Sequence, residues 1–94
     1  MSKNIYKALS IKNAVNVFLL IYSGCKVEYY LSFQDICDKL SINPNSLRRI
    51  TNSLSKAKLI KSVKDIYSKD KRKRVYIADA TLAELVLEIE NPSK

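Results

Sequence analysis

The sequence predicts a mostly helical α+β fold: a three-helix core carrying a β-hairpin, with one more helix at the C-terminus. Three observations lead there. Apolar residues recur at steps of three and four in several separate stretches, as one buried face of a helix requires. Only Ser41 to Asn43 separate two short amphipathic stretches, which is the spacing of a helix-turn-helix. Two β-prone runs then flank a charged turn, Ser68-Lys69-Asp70-Lys71-Arg72-Lys73, before the last helical stretch.

The 94 residues suffice for one modest core, so residues 1–94 are expected to form one domain. Residues 1–10, with Ile5, Tyr6, Ala8 and Leu9 as apolar points, are either a short helix or an arm that packs on a partner subunit. Ser10 is the expected cap of a helix from Ile11 to about Ser23. Its face of Ile11, Ala14, Val15, Phe18, Leu19 and Tyr22 is widened by Val17, Leu20 and Ile21. So broad a stripe belongs to a central helix, or to one partly covered by a second subunit. Gly24, the only glycine, stands where that helix should end in a left-handed residue.

Val27 to Leu31 is a short β-prone run. Ser32 and Asp35 are spaced as a capping box, with Asp in place of the usual Glu or Gln. They open a helix to Leu40 that carries Phe33, Ile36, Cys37 and Leu40 on one side. Asn43 caps the next helix and Pro44 occupies its first turn, where a missing N–H costs nothing. Its apolar stripe is Leu47, Ile50, Leu54 and Ala57. Leu59 to Tyr67 reads as a strand turning Lys61 and Lys64 outward, and Arg74 to Ala78 as its partner. Either Asp79 or Thr81 caps the C-terminal helix, residues 79–91. There Leu82, Leu85, Val86 and Ile89 make the apolar side and Glu84, Glu88 and Glu90 the acidic one.

Charge is distributed unevenly. Eleven of the seventeen Lys and Arg residues, but two of the nine acids, lie between Pro44 and Arg74, so the surplus positive charge is concentrated there. A clustered surplus of this kind points to a polyanionic partner rather than to solubility alone. The opening Met-Ser-Lys-Asn-Ile-Tyr-Lys lacks the apolar run and cleavage site of a signal peptide. The longest apolar stretch, Ala14 to Tyr22, is well short of the roughly 20 residues that span a bilayer. An intracellular, cytoplasmic protein without a membrane partner is therefore expected. Cys25 and Cys37 have no metal-site spacing and no His to join them; they read as buried thiols or as a disulfide. No cofactor, small-molecule substrate or catalytic constellation is legible, so an enzyme is not expected.

At about 100° per residue, the side of the 44–57 helix opposite its apolar stripe holds Asn45, Arg48, Arg49, Asn52 and Lys56. Arg can donate two hydrogen bonds to guanine, and Asn can exchange two with adenine, so these are candidate base readers in a major groove. No acid occurs from Pro44 to Ile60, whereas an ordinary solvated helix mixes Glu with Lys. Ser32 and Gln34 at the preceding helix start, and Ser46, are candidate contacts to the phosphate backbone. Lys69, Lys71, Arg72, Lys73 and Arg74 would line a cationic hairpin lying along the backbone or in the minor groove. The expected partner is double-stranded DNA, bound by a homodimer through the first and last helices. The other reading is a protein- or RNA-interaction module that uses the same surfaces.

From Ser32 to Ala78 the chain resembles the winged-helix transcription regulators of the MarR and ArsR type, in the small form found in archaea and in their viruses and plasmids. The resemblance rests on Leu47-Arg48-Arg49-Ile50 leading to Leu54, on Leu59-Ile60 entering the first wing strand, and on Asp70-Lys71-Arg72. It implies a winged helix-turn-helix, with Arg49 on the family's recognition Arg, Asp70 bracing the wing and Arg72 reaching DNA. If the source is viral, the place of action would be the host cytoplasm. Lys58 stands where that family usually has Gly, so Lys58 must itself turn left-handed or the helix must end differently. Ala78-Asp79-Ala80 replaces the family's Thr, often followed by Gly, after the second wing strand.

Overall fold

A computed structural model describes residues 3–65, 69 and 73–90. Among these, the chain runs α1 (Lys3–Leu9), α2 (Ala14–Lys26), α3 (Phe33–Leu40), α4 (Pro44–Lys56), β1 (Ile60–Lys64), β2 (Arg74–Ala78) and α5 (Ala80–Glu90). Within the first ten residues, Lys3–Leu9 thus form a helix. Its Ala8 is buried, with Ile5 and Leu9 packed on the same core.

Helix α2 starts later and ends later than its apolar pattern suggests. The Ser10 hydroxyl donates to the Lys7 carbonyl at 2.7 Å, so it closes α1 instead of capping α2. The chain then turns through Asn13 at φ 69°, a left-handed conformation that Asn tolerates better than most residues. At the other end, Gly24 lies inside the helix with an ordinary negative φ, and the left-handed residue is Glu28 at φ 56°. Glycine is required at 24 for another reason: the chain folds back so that Tyr29 N–H donates to the Gly24 carbonyl at 2.9 Å. A Cβ there would sit 2.5 Å from the Tyr29 oxygen. That reversal leaves Val27 and Tyr29 72% and 63% exposed. The β-prone run is reduced to one bridge, Leu31 to Tyr76.

The helix-turn-helix forms as its caps dictate. Ser32 Oγ accepts from Asp35 N–H while Asp35 Oδ2 accepts from Ser32 N–H, a complete capping box on α3. Asn43 Oδ1 accepts from Asn45 N–H at 2.8 Å, with Pro44 in the first turn of α4. Beyond Ala57, Lys58 takes the left-handed turn itself at φ 63°, letting Leu59 N–H close on the Leu54 carbonyl.

Strands β1 and β2 pair antiparallel, Ile60 opposite Ala78 through Lys64 opposite Arg74. The base of the hairpin is tied to the helices by Asp79 N–H donating to the Leu59 carbonyl at 2.8 Å. Asp79 also caps α5, its Oδ1 accepting from Leu82 N–H at 2.9 Å, whereas Thr81 lies inside the helix. Among the described side chains of α5, Ala83 and Val86 are buried and Leu82 and Leu87 half-buried. Leu85, expected inside, is 41% exposed.

Helix α2 is the centre of the core, packing against β2 and the four other helices. Val17, Phe18 and Ile21 meet Ile36 of α3, Leu47, Ile50 and Leu54 of α4, and Leu59 in one buried cluster. Burial of such side chains contributes about 1.5–3 kcal/mol each relative to exposure.

Candidate nucleic-acid interface

Burying Leu47, Ile50 and Leu54 forces the other side of α4 outward. Asn45, Ser46, Arg48, Arg49, Asn52 and Lys56 are all exposed there, and Thr51 is buried with its hydroxyl returned to the Arg48 carbonyl at 3.1 Å. One open groove is lined by Asn45, Arg48, Arg49 and Asn52, with Ser53, Ser55 and Lys56 completing it. The structure thus brings the five candidate base readers onto one acid-free surface.

Its two arginines are not equivalent. The Arg48 guanidinium lies 5.7 Å from the centre of the Phe33 ring, a cation–π contact that leans it towards the start of α3. Arg49 turns the other way and also lines a cleft between α4 and α1, with Ser53, Lys56 and Lys7. Sequence reasoning missed both neighbours. Phe33 lies on the apolar side of its helix with Ile36, Cys37 and Leu40, and Lys7 in a stretch whose sequence fits either a short helix or an arm. The 5, 8, 9 spacing of Ile5, Ala8 and Leu9 was the available signal for a helix that would carry Lys7 to this surface.

Of the expected phosphate contacts at the start of α3, the fold engages the Ser32 N–H and leaves that of Gln34. The Ser32 hydroxyl and N–H are both consumed by the capping box, and the Asp35 carboxylate occupies the same helix start. The donors left for a phosphate at this end are the N–H groups of Phe33 and Gln34. The Gln34 side chain is itself engaged, donating from Nε2 to Asp38 Oδ1 at 2.9 Å.

On the hairpin, Lys61, Lys64, Lys69 and Lys73 are exposed. Lys73 Nζ stands 4.0 Å from Asp65 Oδ2, and Asp65 N–H donates to the Lys73 carbonyl. Arg74 is turned back across the sheet, Nε to Ser62 Oγ and Nη2 to the Ser62 carbonyl, both at 2.9 Å. It braces the hairpin from one strand to the other. Asp70, Lys71 and Arg72, the expected brace and tip, lie outside the described residues.

On α5, Glu84 is engaged with α2. Glu84 accepts from the Tyr22 hydroxyl at 3.0 Å, a bond that raises the Tyr22 pKa, with burial adding to the shift. Cys25 is half-buried and Cys37 buried, both as free thiols, and burial pushes the Cys37 pKa up. Among the described residues no three His, Cys, Asp or Glu side chains gather as a metal site. No described helix is long and apolar enough to cross a membrane.

No protein-family model and no curated protein sequence matches the chain. Solved structures do. An apo form of a Lactococcus lactis ZitR variant superposes with a TM-score of 0.69 at 19% identity, covering 92% of this chain and 59% of that one. A second ZitR variant gives 0.67 at 19% identity over 83% of this chain and 49% of that one. The adhesin competence repressor AdcR of Streptococcus pyogenes gives 0.65 at 18% identity, over 92% and 61%. The chain thus spans about half to three-fifths of the length of these structures. Both sources are bacteria, so these likenesses do not point to the archaeal or viral type that the sequence resembles. At such identity the likeness speaks for architecture, and it agrees with the helix-turn-helix, the antiparallel hairpin and the closing helix: the chain has the winged helix-turn-helix fold.

Proposed function

We propose that this chain is a sequence-specific double-stranded DNA-binding transcription regulator, with α4 entering the major groove and the hairpin along the backbone or minor groove. The observation that carries it is the exposed, acid-free face of α4, where Asn45, Arg48, Arg49, Asn52 and Lys56 stand opposite a fully buried stripe. Donors that can pair two at a time with base edges are thereby presented on a rigid element. The winged-helix architecture shared with a protein named as a repressor is in keeping with this role. Ser46, Lys69, Lys71, Arg72 and Lys73 serve as phosphate contacts, and Asp70 as the brace of the wing. The chain acts as a homodimer on a two-fold symmetric site, with α5 as the subunit contact.

Selection of bound duplexes from a random pool tests this. The unaltered chain should enrich one motif, and Arg49→Ala should relax it at one position, at a cost of about 1–3 kcal/mol in discrimination. Lys73→Ala should weaken all duplexes alike. Retention on heparin with no enriched motif would instead favour the protein- or RNA-interaction module.

A further inference from the structure

Two grooves meet on α4. Arg49, Ser53 and Lys56 line both the open face described above and the cleft between α4 and α1. The opposite wall of that cleft is the end of α1, with Lys7, Ala8, Ser10 and Ile11. Its backbone is held on both sides: buried Ala8 anchors it to the core, and the Ser10 hydroxyl bonds the Lys7 carbonyl. Lys7 therefore projects from a fixed helical turn, and it is exposed.

Three cations, Lys7, Arg49 and Lys56, line this cleft without a carboxylate among them. Like charges converging in this way are unfavourable for the free protein and become favourable when an anion enters. The cleft opens onto the α4 face, so an anion that follows α4 is the one that reaches it. A lysine ammonium is a compact point charge suited to a phosphate rather than to paired recognition of a base edge.

Resting on the assignment of α4 to DNA, we infer that α1 is a second wall of the DNA site, and that Lys7 neutralises a backbone phosphate of the strand flanking the groove that α4 enters. Lys7 adds affinity and leaves base preference alone. The stretch whose sequence fits either a short helix or an arm packing on a partner subunit thereby becomes part of the binding surface.

The test follows binding of one duplex against salt for the unaltered chain, Lys7→Gln, Lys7→Arg and Lys26→Gln. Lys26 lies over the Tyr22 ring, whose hydroxyl bonds α5, so it removes the same charge away from both α4 grooves. Lys7→Gln should weaken binding about 3- to 10-fold at low salt and flatten the log–log salt slope by about 0.9, the share of one phosphate. Lys7→Arg should restore the slope, Lys26→Gln should leave it unchanged, and the enriched motif should be the same for all four. An unchanged slope in Lys7→Gln overturns the inference, as does an equal loss in Lys26→Gln, which would reduce the effect to net charge. Failure of the unaltered chain to bind any duplex would show before a variant is compared; it would sink the assignment of α4 and this inference together.

Discussion

A methyl group at position 24 would press on the Tyr29 carbonyl oxygen at 2.5 Å, and that oxygen belongs to backbone held by the Tyr29 N–H bond to Gly24 itself. Gly24→Ala improves helix propensity by about 1 kcal/mol. It also forces an overpacking cost of about 1–3 kcal/mol at a contact with no flexible side chain to yield. The clash should win, lowering the midpoint of thermal unfolding by roughly 5–10 °C in a domain of this size. A variant as stable as the unaltered chain would show that the reversal after α2 is looser than the hydrogen bonds indicate. The lone glycine was legible as a punctuation mark, but its purpose was not. A left-handed φ and a close approach leave the same residue in the sequence, and only the folded path of Val27 to Tyr29 separates them. Lys58 is the converse case. Its place where the resembled family usually has Gly leaves two options, a left-handed turn at Lys58 or a different helix end, and the fold takes the first, at φ 63°.

Elements were legible where their signals are local. Ser32 with Asp35, and Asn43 with Pro44, act over three or four residues, so the starts of α3 and α4 were readable and so was the exposed face of α4 that follows from them. The helices that depend on partners were less so: α1 is held by Ala8 against the core, and α2 begins only after Asn13 turns the chain. The rotation of α5 is likewise set from outside, by packing and by the Tyr22–Glu84 bond, and this explains why Leu85 rather than Glu84 is turned away from α2. That bond has a pH signature. The Tyr22 pKa is raised in the fold above its ordinary value of about 10, so the protonated hydroxyl is the stabilising form. Its contribution is fully present below pH ~10 and is lost as pH rises through the higher folded value. Chemical denaturation across the alkaline range should show stability falling in that window for the unaltered chain, and a flatter profile for Tyr22→Phe. Identical profiles would mean that the bond does not couple α2 to α5.

At the scale of the whole molecule, the placement of charge is the property a duplex would feel first. The surplus positive charge lies between Pro44 and Arg74, a span that holds α4, β1 and the first residue of β2, while α5 holds acids. Within that surplus the structure separates side chains already spoken for from those that are free to meet a phosphate. Arg74 is bonded to Ser62 across the sheet, whereas Lys61, Lys64 and Lys69 project as exposed cations. If each copy neutralises roughly five phosphates, the slope of log K against log salt should be about −4.5 for one copy on a short duplex and near −9 for two. One titration series at varied salt therefore reports both whether the field drives binding and how many copies engage. A slope near zero would contradict a backbone-tracking hairpin outright. A slope near −4.5 on a two-fold symmetric site would leave α4 and the hairpin in place and remove the homodimer.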